Sequence, residues 1–262
     1  ARRCARSWRS RQSGGNWGNA AAMLSYFANP ARFLRLSAWG LPVLTGLAGL
    51  LLAIGLPWAL LFAPADYLQG ESVRMMFVHV PAAWWALSGF MALAGASFVH
   101  LVWRHALADV AARAIAPIGA VYAGLCLVTG SLWGRPTWGT YWVWDGRLTS
   151  MLILFLSYLG YLALRAAMEN AQRGARLGAV LALASAVNVP IGHFSVEWWN
   201  TLHQPSSLLR AGGSAIDPAL LWPLLIMGLA YGAAFAALCV AGMRAQVLEQ
   251  ALLRLQPARG GA

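Results

Sequence analysis

From residue 40 onward the chain alternates long apolar blocks with short polar breaks. The blocks fall at about 40–62, 78–102, 111–132, 149–167, 176–193 and 219–242. Each approaches the roughly 20 residues that a helix needs to cross the hydrocarbon of a bilayer. An apolar segment alone in lipid must satisfy its backbone internally, so each block is predicted to be an α-helix. The fold class that follows is all-α: a polytopic membrane protein with six transmembrane helices. The fifth block is the least apolar, because Asn188 and Pro190 interrupt its end. Ahead of the first block, residues 27–37, with Arg32 and Arg35, are expected to lie along the membrane surface.

The polar breaks are not alike. Fifteen of the 19 basic residues, all arginine, lie before the first block, around the second and fourth breaks, or after the last block. The first, third and fifth breaks hold only Arg74, Arg135, Arg147 and Arg210, among Asp66, Glu71, Asp145, Glu197 and Asp217. Cytoplasmic loops carry the excess of positive charge, so both termini are predicted to be cytoplasmic, and those three breaks face outward. Composition supports the membrane reading: 60% of residues are hydrophobic and 10% charged, where soluble domains have about a quarter charged. The net charge of +11 is then a topology signal and not a nucleic-acid footprint. The expected organisation is a cytoplasmic extension over 1–35, a membrane domain over 36–243 and a cytoplasmic tail over 244–262. Residues 1–22 are basic, lack an apolar signal-peptide core and precede Met23. They are expected to be a start-site artefact or a disordered tail. Cys4, Cys126 and Cys239 are far apart and form no Cys-x-x-Cys, which argues against a disulfide framework, a thiol redox centre or a thiolate metal site.

The third break carries candidate chemistry. Between Trp133 and Asp145 stand Trp133, Trp138, Trp142, Trp144 and Tyr141, edged by Arg135, Asp145 and Arg147. A loop is expected over 133–148. Amphipathic rings of this kind anchor at a membrane interface or lie against a flat apolar ligand. Their clustering, with Gly134 and Gly139 letting the backbone bend, favours the ligand surface. His79, beside Pro81, suits a helix start on the same side of the membrane. His193 follows Pro190 at the outer end of the fifth block, and His203 lies ten residues further on. His100 and His105 sit at cytoplasmic helix ends and are read as ordinary interfacial residues. Two outer imidazoles and an aromatic shelf make a plausible iron-porphyrin site. Histidines supply axial ligands, the rings pack on the macrocycle, and Arg74, Arg135 or Arg147 pairs with propionates. Arg74 is first read as a structural ion pair with Glu71. The stretch from His193 to Gln204, with Glu197, Trp198 and Trp199, reads equally as the opposite wall of that pocket or as an amphipathic helix on the outer leaflet.

These stretches carry a resemblance. WGRPTWGTYWVWDGRLTS over 133–150, VHVPAAWW around His79 and NVPIGHFSVEWWNTLHQ over 188–204 resemble the tryptophan-rich WWD family of heme-handling proteins in cytochrome c maturation. Within it they resemble the CcmC family, called heme exporter protein C, over about residues 36–243. The resemblance implies an inner-membrane protein that holds heme b non-covalently at its periplasmic surface. It implies His79 and His193 as the axial ligands, with Trp133, Trp138, Trp142, Trp144 and Asp145 as the WWD residues. His203, inside a matching motif, is set aside as a ligand by analogy with the family. The implied task is to present heme to the periplasmic chaperone CcmE, in a complex with CcmA, CcmB and CcmD. Whether that makes the chain an enzyme is left open, since it would act by positioning reactants. The shelf could equally dock the apo-chaperone.

Two other readings compete. A transporter would place charged or strongly polar groups at span midpoints, where they are costly and usually functional, yet no acid or base occupies a span centre and the polar groups are few and mild, Thr129 and Ser185 among them. A purely structural subunit of an ABC-type assembly is the third reading. The chain has no lysine and so no phosphate-binding P-loop of its own.

Overall fold

A computed structural model describes residues 29–199, 201–203 and 213–255. The expectations for residues 1–22, Arg210 and the end of the tail lie outside the described residues. Among the described residues seven α-helices run in chain order: α1 Pro30–Pro57, α2 Met76–Trp103, α3 Ala106–Trp138, α4 Gly146–Ala167, α5 Ala171–Ala186, α6 Asn188–Trp198 and α7 Pro218–Leu255. They make six segments long and apolar enough to cross a membrane, with α5 and α6 sharing the fifth, Ala171–Trp198. The only β pairing among the described residues is an isolated bridge between Asp66 and Gly70.

Local chemistry explains most of the boundaries. Asn29 caps α1 by accepting from the Ala31 and Arg32 amides at 2.9 and 3.3 Å, and Pro30 occupies the first helical position, where no amide donor is needed. After Pro57 the chain widens into one π-turn, Trp58–Phe62, in which the Ala63 amide donates to Trp58 O at 2.8 Å. Asp66 then takes the Leu68 and Gln69 amides at 2.9 and 2.8 Å, and a 3₁₀ turn over Glu71–Met75 leads into α2. Asp145 caps α4 through Arg147 and Leu148, Asn170 caps α5 through Arg173, and Asp217 caps α7 through Ala219. The break between α5 and α6 falls at Val187. There the Asn188 amide donates to Ser150 O at 2.8 Å, so the polar residue that interrupts the fifth block ties it to α4.

α2, α3 and α7 form the centre. Tyr158 of α4 is fully buried among them and donates to Ala86 O at 2.8 Å. Trp85 of α2 donates to Gly228 O of α7 at 2.8 Å, and Tyr122 of α3 donates to Tyr231 O of α7 at 3.0 Å. In an apolar surround each such bond satisfies a ring polar atom that would be expensive to bury alone. The bundle has two distinct ends. At one, Phe33, Leu34 and Met243 pack on Leu107, Val110 and Val247, and Arg244 reaches Leu34 O and Ser37 Oγ at 2.7 and 2.6 Å. At the other, Trp133 packs with Val73, Phe77, Leu220 and Leu224.

Several boundaries differ from expectation. α1 already begins at Pro30, so the described part of the expected surface segment is continuous with the first span, and α7 runs on to Leu255, past the expected end at 242. α3 continues six residues past 132, so Trp133, Arg135 and Trp138 are helical and the true loop is short, Gly139–Asp145. Pro136 does not stop the helix. α3 ends instead at Gly139, whose positive φ of 80° few other residues adopt cheaply and whose amide closes on Arg135 O at 3.0 Å. Likewise the helix holding His193 runs on to Trp198, beyond the expected end at 193.

Candidate functional site

The aromatic end gathers residues from five segments. His79, in the first turn of α2, packs edge-on against Trp133 of α3 with ring centres 5.7 Å apart. Its Nδ1 lies 3.0 Å from Cys126 O and 3.2 Å from Thr129 Oγ1. A carbonyl only accepts, and the Thr129 hydroxyl already donates to Leu125 O at 2.7 Å. Nδ1 therefore carries the hydrogen, and Nε2 keeps its lone pair. Gly130 makes this approach possible: a Cβ there would sit 2.8 Å from His79 Cε1. Trp133 is fixed in turn by donating to Gln69 Oε1 at 2.9 Å.

A second imidazole is held the same way. His203 packs edge-on against Trp138 at 4.7 Å, and its Nδ1 lies 3.1 Å from Asp145 Oδ2. Burial holds the His203 imidazole below its ordinary value. The Asp145 carboxylate pulls the other way, and the Arg147 charge sides with burial. At neutral pH His203 is thus a neutral ring that donates from Nδ1 to the carboxylate and leaves Nε2 bare. An imidazole whose far N–H is engaged by a carboxylate or backbone carbonyl is the usual arrangement of a metal-ligating histidine. His79, His203 and Arg147 lie within electrostatic reach of one another.

His193 stands differently. One stripe of α6 faces α4: Asn188 bonds Ser150 O, Gly192 packs on Ser150, and Ser195 and Trp199 close on Gly146. His193 lies off this stripe. It is exposed, and its ring neighbour is Phe194 at 4.8 Å. Phe194 stacks on Trp198 at 5.6 Å, with Trp199 at 5.9 Å from Trp198. Trp199 brings the fifth-break stretch against the start of α4, next to Asp145.

The remaining expected residues divide by whether they are already engaged. Arg74 forms the ion pair with Glu71 at 2.9 Å and donates to Leu60 O and Ala63 O at 2.6 and 3.3 Å, closing the π-turn. Arg135 lies 5.6 Å over the Tyr141 ring and donates to Gly139 O. Thr140 Oγ1 donates to Trp142 O at 3.0 Å and folds the loop. Trp142 and Trp144 meet edge-on at 5.3 Å, with Trp144 77% exposed. The indole Nε1 of Trp142 is buried with no partner. Arg147 is half-buried and forms no ion pair or hydrogen bond through its guanidinium among the described residues. Sequence reasoning missed Gln69, Thr129 and the engaged state of His203. Only His203 left a signal, by falling within the same motif as Trp198 and Trp199.

The family profile for heme exporter protein C, CcmC, matches residues 23–257. The chain belongs to this family. It is 55% identical over 229 residues to the heme exporter protein C of Bradyrhizobium diazoefficiens, covering 87% of each chain. It is 46% identical over 201 residues to that of Escherichia coli K12, covering 77% of this chain and 81% of the relative. A putative cytochrome c biosynthesis ccmC-like mitochondrial protein of Marchantia polymorpha is 42% identical over 185 residues, 71% of this chain and 78% of the relative. Membership of the family implies a role in heme delivery for cytochrome c biogenesis, carried out by a multi-pass membrane protein.

Proposed function

We propose that the chain binds heme b non-covalently at the aromatic end of the bundle and presents it to the periplasmic chaperone CcmE. On this reading it works beside CcmA, CcmB and CcmD in the bacterial inner membrane, with the aromatic end in the periplasm. The observation that carries the reading is the pair of anchored imidazoles. His79 and His203 each have Nδ1–H engaged and Nε2 bare, and each lies against a tryptophan of the same stretch of α3. The arginine asymmetry supports the orientation.

The residues present suit the cargo. Two neutral nitrogen donors match the iron, and Trp142 and Trp144 offer ring surface. The unpartnered Trp142 Nε1 is a donor awaiting an acceptor, which a propionate supplies. Among the arginines, Arg147 is the propionate partner of choice, because Arg74 and Arg135 are already bound within the protein. The work assigned to the chain is positioning. Asp145 and the Cys126 carbonyl hold the two ring tautomers, the shelf orients the macrocycle, and no thioether tethers the cargo, so release remains possible.

The second ligand is the point at which family resemblance and geometry part. The resemblance maps it to His193, whereas burial, the carboxylate anchor and the Trp138 contact favour His203. Purified full-length chain carrying His79→Ala, His193→Ala or His203→Ala is compared by Soret absorbance per protein. Loss in the first and third, with the second near wild type, is the expected result. Loss in His193→Ala with His203→Ala unaffected would restore His193 as ligand. A heme-free wild type purified without partners would favour the purely structural reading.

A further inference from the structure

A cleft of about 460 Å³ lies at the opposite end of the bundle, lined by Arg113 of α3, Tyr161, Leu162 and Arg165 of α4, Met168, and Gln246 of α7. Arg113 precedes Trp133 by twenty residues on one continuous helix, so the cleft lies about 30 Å from the aromatic shelf. It is a separate place and takes no part in holding the histidines.

Its charges are unevenly matched. Arg165 is bound on both nitrogens by Asp109, the Nη2 to Oδ2 distance being 3.0 Å, and its charge is neutralised. Arg113 is exposed and forms no ion pair among the described residues. Gln246 Oε1 is buried and accepts no hydrogen bond. Leaving a buried acceptor unsatisfied is costly, and one lining a cleft calls for a donor from the occupant. Leu162 and Met168 give the same cleft an apolar wall. An occupant must therefore join an anion for Arg113, a hydroxyl or ammonium donor for Gln246, and an apolar body. A phospholipid with a glycerol or ethanolamine headgroup has all three, and basic pockets between membrane helices are places where anionic phospholipid headgroups bind.

We propose that this cleft binds one phospholipid, its phosphate on Arg113, its headgroup donor on Gln246 and its first acyl methylenes along Leu162 and Met168. A small soluble anion shares the phosphate chemistry but lacks the apolar part, and the test separates the two. Full-length chain in detergent is titrated with mixed micelles containing phosphatidylglycerol or phosphatidylethanolamine, and in parallel with inorganic phosphate. Bound lipid is read by native mass spectrometry. The wild type should retain one phospholipid through detergent washing, and excess inorganic phosphate should not displace it. Arg113→Gln should weaken retention by about tenfold, the scale of one lost charge-assisted hydrogen bond, and Arg113→Lys should recover part of it. Gln246→Leu, which fills the same space without an acceptor, should also weaken retention while the far-UV spectrum and heme content stay unchanged. Equal retention by wild type and Arg113→Gln would overturn the proposal, as would displacement by inorganic phosphate alone.

Discussion

At one end of the bundle, tryptophans, a tyrosine and two histidines are held by carbonyls, a carboxylate and one another. At the other, arginines are bound to Asp109, to Ser37 and to a helix-end carbonyl. Both ends use hydrogen bonds, but toward different results. At the arginine end the contacts that tie helices together satisfy each other: Arg165 is matched by Asp109, and Arg244 ties α7 to α1, while Arg113 and Gln246 Oε1 at the cleft are left over. At the aromatic end the bonds leave something over. Each imidazole spends Nδ1 and keeps Nε2, and among the described residues the Trp142 indole has no acceptor and the Arg147 guanidinium forms no ion pair. The lesson is that a binding surface shows itself by what its anchoring leaves unspent, whereas a structural contact closes on itself.

The sharpest way to break this contrast is Asp145→Ala. It removes the α4 cap and the His203 anchor together. Heme affinity is expected to fall about 10- to 100-fold, the usual cost of losing a ligand's outer partner, measured by Soret titration. If affinity holds, the carboxylate is a cap and nothing more. Thr129→Val removes one of two acceptors at His79 Nδ1 and leaves the Cys126 carbonyl. Its loss should be smaller, up to about tenfold, with a shifted Soret maximum and an unchanged melting temperature.

Arg165→Ala should do the reverse. It strands a half-buried Asp109 and is expected to cost about 2 kcal/mol of stability, below the figure for fully buried pairs because both side chains are partly exposed. Heme content of the folded fraction should not change. Gly139→Ala forces an alanine to positive φ and should cost about 1 kcal/mol, visible as a lower melting temperature.

The smallest effect is with pH. His203 is held below its ordinary value, so between its folded value and about 6.5 the unfolded chain binds more protons than the folded one. Stability should therefore be complete above about pH 6.5 and decline as pH falls through that window. His203→Gln should flatten this decline, as followed by thermal melts at several pH values. An unchanged profile would mean that other groups govern it.

How much of this was readable beforehand differs element by element. The six apolar blocks became six spanning segments, because twenty uninterrupted apolar residues have few other solutions in lipid. Asn188 marked the break in the fifth, since an amide in an apolar helix must find a partner and finds Ser150. The Glu71 and Arg74 ion pair was also legible, lying one turn apart. By contrast, the run from Trp133 to Trp138 read as a loop because Gly134 and Gly139 suggested a bent backbone. Packing of Trp133 against Gln69 and His79 outweighs those local preferences and keeps the segment helical.

Sequence by itself determined the all-helical class, the number of spans and the set of aromatic, histidine and arginine residues from which a site could be built. These are properties of short windows, in which burial in lipid and backbone satisfaction act on neighbours along the chain. Tertiary structure alone decided which imidazole is anchored beside the shelf and that, of the arginines there, Arg147 has no ion pair among the described residues. His203 meets Asp145 across 58 positions and His79 meets Cys126 across 47. Contacts so remote depend on how α2, α3, α4 and the chain after α6 close on one another, and no local pattern of residues encodes that closure.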